Sequence, residues 1–377
     1  VELVEFQHRR LKSGWEKNEA FVFDVRFIFR RPRVSMRGRQ MSTVYEEAMR
    51  RALQLALKGP AFGVNPQVGA VILDESGAVV AEGWHEGAGT PHAEVVALSK
   101  LSLPLPAGYT AVVTLEPCNH TGRTGPCAQA LIAAGISRVV FASADPGVES
   151  GAGAKTLRDA GVEVISGVLE TEADDQARVW LISAQNQRPF VTLKWAQSLD
   201  GRAAAADGSS QWISGPESRE HAHKLRSEID AILVGTGTVL ADNPSLTARK
   251  ADGSLYSHQP LRVVLGNSTL PSGLRAFDGS ASTIRVRNSD LQVLLADLYS
   301  QGVKHLMVEG GPSVASSFVQ AGLVDEFVTY IAPQLIGGPG LAVRDLGISS
   351  MTEAIQLRFV ETRSLGADLY VRAVRSK

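Results

Sequence analysis

One histidine and the only two cysteines of the chain, all of them common metal ligands, constrain how its first half can fold. His92 lies in Pro91-His92-Ala93-Glu94, and Cys118 and Cys127 each follow a proline. Two thiolates and one imidazole can hold a Zn²⁺ ion and leave its fourth tetrahedral position open. A fold that uses this site must bring three separate segments of the chain to one point.

The chemistry that these residues support is hydrolysis. Zn²⁺ lowers the pKa of bound water from about 15.7 to about 7, and a nearby Glu94 can move protons. This arrangement is typical of zinc deaminases that act on nucleobase rings. The cysteines are separated by eight residues, 119–126, and not by two, which argues against a routine cytidine deaminase. The alternative is a lone helical histidine with two structural or redox cysteines, or a disulfide in a secreted protein.

Local patterns place these residues at the ends of regular elements. Thr90 suits the N-cap and Pro91 the first position of a short helix that continues to Leu98. The apolar stretch 110–115 predicts a strand, so Cys118 follows a strand end. Cys127 precedes a predicted helix over 130–134, and a helix start favours a thiolate.

Composition and charge argue against two classes of partner. The chain has 377 residues, enough for two domains, and a net charge of −1. The near-neutral charge does not favour nucleic-acid binding, and no apolar run reaches the roughly 18 residues of a membrane span. With both cysteines assigned to a metal, disulfides are not expected, and a cytoplasmic location is predicted.

Residues 1–40 differ from the rest because they are rich in Arg and Phe and lack the uninterrupted apolar core of a signal peptide. Thr43 and Glu46 can form a capping box at a helix start. We expect residues 1–40 to be disordered or a non-native extension, with the natural start near Met36 or Met41. A genuine basic arm is the alternative.

Beyond residue 40, strand and helix patterns alternate, which predicts helices on both faces of a mixed sheet. Strands are predicted at 68–73, 79–83, 110–115, 139–142, 162–165, 190–196, 231–234, 262–265, 305–308 and 326–331. A polar helix at 169–183 precedes a predicted boundary, with one domain at 41–186 and a second at 187–377.

Two strand-to-loop junctions in the second half are rich in glycine: Gly235-Thr236-Gly237 and Gly310-Gly311-Pro312. Glycines let a phosphate approach backbone N–H groups, and a helix N-terminus favours anions. Neither junction is a dinucleotide fingerprint, and each alone is more often an ordinary turn. Arg226 and Arg249 strengthen the phosphate interpretation because guanidinium forks suit phosphate esters.

Three residues of the second half allow two interpretations each. Lys194 ends an apolar strand, where it is either a solvated edge residue or a cleft residue. Glu309, between a strand and a Gly-Gly loop, has the same ambiguity. Trp212 is either a core residue in a loop or part of a site.

Several motifs extend from about residue 41 to the C-terminus. Those of the first half are Asn65-Pro66-Gln67-Val68-Gly69, Gly83-Trp84-His85, Pro91-His92-Ala93-Glu94, Glu116-Pro117-Cys118, Gly122-Arg123-Thr124 and Cys127. Those of the second half are Ser198-Leu199-Asp200-Gly201-Arg202, Gln211-Trp212-Ile213-Ser214, Val239-Leu240-Ala241-Asp242-Asn243-Pro244 and Val308-Glu309-Gly310-Gly311-Pro312. Together they resemble the bifunctional deaminase and reductase family of riboflavin biosynthesis, the first set its deaminase and the second its reductase. One departure is Gly125, where the family commonly has proline.

The resemblance implies an α/β protein with an N-terminal cytidine-deaminase-like αβα domain and a C-terminal dihydrofolate-reductase-like α/β domain. It implies zinc-dependent hydrolytic deamination of 2,5-diamino-6-(5-phosphoribosylamino)pyrimidin-4(3H)-one. NADPH-dependent reduction of the ribosyl to a ribityl group then gives 5-amino-6-(5-phosphoribitylamino)uracil. The implied partners are this small-molecule substrate and further copies of the chain in a dimer or tetramer, with the reductase half the better candidate interface.

Residue roles follow from the same resemblance. His92, Cys118 and Cys127 match zinc ligands, and Glu94 matches the proton shuttle. Lys194 matches a catalytic polar group near the sugar. The implied substrate contacts are Asn65, Ser210, Arg226, Leu246, Arg249 and Glu309, with the arginines on the phosphate. The implied NADP contacts are Ala196, Trp212, Thr238, Asp242, Asn267 and a pyrophosphate loop of Gly311, Pro312, Ser313, Val314, Ala315, Ser316 and Ser317. At position 267 the family commonly carries serine.

Two other functions are considered. One is a nucleoside or tRNA deaminase with an unrelated appended domain, against which the charge and the cysteine spacing argue. The other is a zinc-stabilised nucleotide sensor without turnover. An open metal position beside Glu94 disfavours the sensor, because structural zinc sites are usually closed.

Overall fold

Two β-sheets, each packed against helices, make up the fold. The computed structural model describes residues 36–376 except 121–124, 148–149 and 288–289. Its α-helices are α1 Met36–Ala56, α2 Ala93–Leu98, α3 Cys127–Ala133, α4 Gly153–Asp159, α5 Glu170–Asn186, α6 Pro216–Arg226, α7 Thr236–Asp242, α8 Leu291–Ser300 and α9 Pro312–Gln320. Its strands are β1 Gly69–Leu73, β2 Val79–Trp84, β3 Thr110–Leu115, β4 Arg138–Ser143, β5 Glu163–Ser166, β6 Phe190–Ser198, β7 Ala231–Gly235, β8 Leu261–Leu265, β9 Thr283–Val286, β10 His305–Val308, β11 Glu326–Ala332, β12 Leu357–Leu365 and β13 Asp368–Arg375.

The first sheet has the order β2-β1-β3-β4-β5. β1 pairs antiparallel with β2 and β3, whereas β3, β4 and β5 are parallel. Successive strand residues point to opposite faces, so Ile72 and Val113 pack with α2, α3 and α4, while Val71 and Val112 pack with α1 and α5. The predicted mixed sheet with helices on both faces is confirmed.

The second sheet has the order β12-β13-β11-β6-β10-β7-β8-β9. The six strands from β11 to β9 in this order run parallel, and β13 and β12 extend the sheet antiparallel. Leu306 and Val308 pack with α8 and α9 on one face, and Met307 packs with α7 on the other. The carboxyl ends of β6, β7, β8 and β10 therefore share one edge, where ligands bind in sheets of this kind.

The strand predictions hold within two residues, but the helix starts differ. α2 begins at Ala93 and not at Pro91, because His92 keeps an extended backbone (φ −70°, ψ 160°) and is itself the N-cap. α3 begins at Cys127, three residues before the predicted start. α1 already begins at Met36, so Thr43 and Glu46 lie inside a helix and not at its cap.

The predicted boundary at residues 186–187 falls between α5 and β6. Residues 41–377 nevertheless form one compact unit, and contacts cross that position. Arg178 of α5, for example, donates to the buried Glu326 at the start of β11, with a distance of 3.1 Å. The two-domain division therefore stays a prediction.

Two further sequence expectations concern the N-terminus and the membrane. The expectation for residues 1–40 falls mainly on residues 1–35, outside the described residues. Within the described part of the chain, no helix is both long enough and apolar enough to cross a bilayer.

Candidate active sites

The three predicted metal ligands meet in the first half. His92 Nδ1 and the two cysteine Sγ atoms all lie within 4.8 Å of one another. His92 Nδ1 is 3.2 Å from Cys127 Sγ and 3.5 Å from Cys118 Sγ. The end of β3, the N-cap of α2 and the first residue of α3 supply them, so three element ends converge. Both cysteines are free, so the disulfide alternative is wrong.

The donor set of this centre fits Zn²⁺. Cys127 donates its backbone N–H to Cys118 Sγ over 3.4 Å. Hydrogen bonds from the Cys127 side chain and from His92 lower the pKa of Cys118 to about 4. The thiolate is the form that binds metal, and two sulfurs with one imidazole nitrogen leave a tetrahedral ion one further position.

Glu94 lies in α2 beside this centre and is only 3% exposed. Burial raises the pKa of its carboxyl group, which suits a group that must both take up and release a proton near neutral pH. Glu94, His92 and Cys118 line a cavity of about 580 Å³ that also reaches Asn65 and Trp180. A cavity of this size is typical of small-molecule sites.

A buried histidine holds Asn65 at the rim of this cavity. His85 Nδ1 lies 3.1 Å from the carbonyl oxygen of Pro91, so Nδ1 carries the ring proton. His85 Nε2 is then an acceptor and takes a hydrogen bond from Asn65 Nδ2 at 2.9 Å. The amide oxygen of Asn65 is thereby left for a ligand.

The second half has a buried ion cluster at the carboxyl edge of its sheet. Glu309, just after β10, accepts two hydrogen bonds of 2.7 Å from Nε and Nη2 of Arg226. Lys194 Nζ of β6 lies 3.4 Å from Glu309 Oε2. Burial alone would raise the pKa of Glu309, but the charges of Arg226 and Lys194 outweigh it and hold that pKa well below its usual value. The carboxylate therefore stays ionised.

These contacts decide between the two interpretations of Lys194 and Glu309, as solvated edge residues or as cleft residues. The side chains of Lys194 and Glu309 are only 14% and 8% exposed, so neither is a solvated edge residue. Trp212 is the reverse case, because it is 67% exposed and lies under the guanidinium of Arg219 at 4.9 Å. The interpretation of Trp212 as a core residue is wrong.

Arg249 lies beside this cluster and is held by two neighbours. It donates from Nη1 to Thr247 Oγ1 over 2.8 Å and from Nη2 to His223 Nε2 over 3.1 Å. Burial, with the charges of Arg226 and Arg249, lowers the pKa of His223 to about 4, so the ring is a neutral acceptor.

A second group of contacts joins the predicted cofactor residues. Gly311 N, at the start of α9, donates to Thr238 Oγ1 of α7 at 2.8 Å. Asp242, another predicted cofactor residue, accepts at Oδ1 a 3.0 Å hydrogen bond from Ser210 Oγ, a predicted substrate contact. Asn267 lies exposed just after β8. The Gly311 bond places α7 against the N-terminus of α9, a favourable place for a phosphate.

Comparisons with known proteins match both halves. The model of the cytidine and deoxycytidylate deaminase zinc-binding region matches residues 42–143, and that of the RibD C-terminal domain matches residues 189–371. The riboflavin biosynthesis protein RibD of Mycobacterium tuberculosis is 46% identical over 332 residues, which cover 87% of this chain and 97% of that protein.

This chain belongs to the RibD family.

Two solved structures agree with this assignment. RibD of Acinetobacter baumannii (form 1) has a TM-score of 0.82 at 33% identity, covering 89% of this chain and all of that one. The diaminohydroxyphosphoribosylaminopyrimidine deaminase/5-amino-6-(5-phosphoribosylamino)uracil reductase of Thermotoga maritima has a TM-score of 0.79 at 34% identity, with coverages of 89% and 100%. As a RibD protein, the chain is a bifunctional deaminase and reductase of riboflavin biosynthesis, with a zinc-binding deaminase domain and an NADPH-using reductase domain.

The structure bears on two details of the predicted residue assignments. The segment predicted as a loop over 311–317 is helical from Pro312, and Ala315 and Ser316 face the core at 2% and 5% exposure. Ser313 and Ser317 are exposed, whereas Ala315 and Ser316 offer no exposed side chain to a ligand. Leu246 is 3% exposed within an apolar cluster, so a substrate contact there would have to come from its backbone.

The predicted phosphate contact of Arg226 stays a prediction. Its fork is aligned on Glu309, and its Nη1 donates to the carbonyl oxygen of Thr247 over 3.2 Å. The guanidinium of Arg226 is therefore bonded to protein groups on three of its nitrogen atoms.

Sequence reasoning assigned no role to His85, His120 and His223, which lie at or near the two candidate sites. His85 holds Asn65 and His223 holds Arg249, as described above. His120 lines the deaminase cavity, and among the described residues its Nδ1 is buried without a partner. The Gly83-Trp84-His85 motif could have pointed to a role for His85. No local sequence feature points to His223, because its partners Thr247 and Arg249 come from a distant segment.

Proposed function

We propose that the first half hydrolytically deaminates 2,5-diamino-6-(5-phosphoribosylamino)pyrimidin-4(3H)-one, with His92, Cys118 and Cys127 as the zinc ligands. The observation that carries this proposal is the convergence of one imidazole nitrogen and two thiol sulfurs within 4.8 Å, in the cavity that Glu94 also lines. A Zn²⁺ ion held by these ligands supplies water that is nucleophilic at neutral pH.

In this proposal Glu94 moves the protons of the reaction. Its carboxylate takes a proton from the attacking water and delivers it to the ring nitrogen. It then takes the second proton from the hydroxyl group added to the ring carbon and gives it to the departing amino group, so that a carbonyl forms there. The bond from the ring carbon to the exocyclic 2-amino nitrogen breaks, and ammonia leaves. Asn65, oriented by His85, holds the pyrimidine edge.

For the second half, we propose that residues at the N-terminus of α9 and in α7 hold NADPH, which would supply the hydride for the reduction of C1′ of the opened ribose. Lys194 polarises the sugar oxygen, and Glu309 holds the Lys194 ammonium and Arg226 in place. Arg249, fixed by Thr247 and His223, binds the 5′-phosphate. The product is 5-amino-6-(5-phosphoribitylamino)uracil. The protein mainly contributes placement and charge.

Zinc removal tests the deaminase assignment. Dialysis against a chelator is expected to abolish ammonia release from the diaminopyrimidine phosphate, while NADPH oxidation with pre-deaminated substrate continues. Metal analysis should find one zinc per chain before dialysis, and zinc alone should restore ammonia release. Full deamination by metal-free protein would contradict the proposal, and faster turnover of cytidine would favour a nucleoside deaminase.

Substitution of Lys194 tests the reductase assignment. Lys194→Ala is expected to slow NADPH oxidation by about 10²-fold, since it removes a charge placed at the reacting oxygen. Ammonia release should not change. Lys155→Ala is the matched control, because Lys155 forms an exposed pair with Asp159. An unchanged oxidation rate in Lys194→Ala would remove Lys194 from the site.

We also propose that the protein is cytoplasmic and forms a dimer or tetramer through its reductase half. Leu335 and Phe359 of that half are 77% and 69% exposed, which is unusual for large apolar side chains unless a partner covers them. Light scattering of the full chain measures the mass, and Phe359→Ser should shift it toward the monomer.

A further inference from the structure

A loop of the deaminase half, residues 59–67, is held by the reductase half. This loop carries Asn65. The backbone N–H of Gly63 donates to Asp230 Oδ1 with a distance of 2.5 Å. The Phe62 ring is stacked on the His258 ring, with centroids 3.5 Å apart and an interplanar angle of 4°.

The two anchoring residues are themselves fixed. Asp230 precedes β7, and its Oδ2 accepts 2.8 Å hydrogen bonds from the backbone N–H groups of Lys304 and His305. His258 Nε2 lies 2.8 Å from the carbonyl oxygen of Ile229. Since β7 and β10 are neighbours in the parallel sheet, the anchors belong to a rigid part of the reductase half.

On its other side, the loop bonds to the deaminase half. Trp180 Nε1 donates to the carbonyl oxygen of Val64 over 3.2 Å, and the backbone N–H of Gly59 donates to the carbonyl oxygen of Ala56 over 3.0 Å. A 2.7 Å bond from Gln67 Nε2 to the carbonyl oxygen of Gly59 lies within the loop itself. Asn65 follows Val64 directly, and its amide bonds His85. Segments without regular backbone pairing open most easily, so the charged bond and the ring stack contribute much of what fixes this loop.

We propose that Asp230 and His258 are positioning residues for deamination, although both belong to the reductase half. They hold the loop so that the Asn65 amide meets the pyrimidine. This inference rests on the proposed role of Asn65 in binding the substrate. Fusion of the two activities then gives the deaminase a more ordered binding site as well as a shared substrate supply.

The test uses full-length Asp230→Ala and His258→Ala, with zinc content and NADPH oxidation measured beside deamination. The KM for the diaminopyrimidine phosphate is expected to rise about tenfold in Asp230→Ala. A rise of this size is typical when hydrogen bonds to a charged group are lost. The kcat at saturating substrate should change far less. Asp290→Ala is the matched control, because Asp290 also accepts from two backbone N–H groups, Gln292 and Val293, but caps α8; its deamination KM should not change.

A second set of variants separates positioning from general destabilisation. Phe62→Tyr keeps a ring on His258 and should preserve the KM, whereas Phe62→Ala should raise it. In an Asn65→Ala background, Asp230→Ala should have no further effect on KM, because Asp230 acts through Asn65.

The outcomes distinguish the two levels of the proposal. If Asn65→Ala raises the KM but the Asp230, His258 and Phe62 variants do not, the positioning role is overturned and the role of Asn65 stands. If Asn65→Ala leaves the KM unchanged, the proposed role of Asn65 fails. If Asp230→Ala lowers deamination and reduction equally in both backgrounds, Asp230 is structural and the inference is overturned.

Discussion

Glu94→Gln is expected to lower the kcat of deamination by about 10²- to 10⁴-fold, the usual contribution of a positioned general acid or base. Glutamine keeps the size of the side chain but cannot accept and return a proton. Glu94 is 3% exposed, so free water has little access to replace it. Ammonia release in a single-turnover experiment measures the effect directly.

The zinc content should not change in Glu94→Gln, since the proposed ligands are His92, Cys118 and Cys127. NADPH oxidation with pre-deaminated substrate should also stay normal. Glu86→Gln, an exposed position in the same half, is the control and should retain full deamination. Loss of zinc, or a parallel fall in both activities, would show that Glu94 is structural or that the two sites are not independent.

Glu309→Ala is expected to lower the free energy of unfolding by about 3–5 kcal/mol, the typical effect of removing one partner from a buried ion pair. The change leaves the Arg226 guanidinium buried, 14% exposed, without its carboxylate. Lys194 loses the same partner. NADPH oxidation should therefore collapse together with stability, which urea unfolding followed by tryptophan fluorescence can measure.

Two companion variants make this second result interpretable. Asp159→Ala breaks the exposed pair with Lys155 and should change stability by only about 0–1 kcal/mol, as is usual for surface pairs. Glu309→Gln keeps hydrogen-bond acceptance from Arg226 but removes the negative charge, so it should be less destabilised than Glu309→Ala and still be impaired in reduction. Normal reduction by a stable Glu309→Ala protein would show that the ion cluster does not serve the reductase site.

Local sequence predicted ten of the thirteen strands in the described residues, but not β9, β12 and β13, and it singled out the three candidate metal ligands that the structure brings together. The strand at Thr110–Leu115 is buried along its whole length, and such apolar runs between turn residues are readable without tertiary information. His92, Cys118 and Cys127 were identified because few residue types bind zinc and their order along the chain is distinctive. The helix start at Ala93 was misplaced by two residues, because capping preferences are weaker than the contacts that hold His92 extended.

Residue roles in the second half depended more on the tertiary structure. A sequence shows that Lys194 lies in a strand and that Glu309 follows one, but not whether they are solvated. The neighbour that decides this, Arg226, comes from a helix between them in the chain. The same holds for Leu246, which packs in the core.

The sequence by itself determined which chemical groups this protein carries and where most of its strands run, since apolar periodicity and ligand type are local properties. Only the tertiary structure decided the order of the strands in two sheets, that His85 and His223 orient other polar groups, and that Asp230 contacts the loop of Asn65. The physical reason is that burial and hydrogen-bond partnership depend on segments far apart in the chain, and these assign a charged or polar side chain its role.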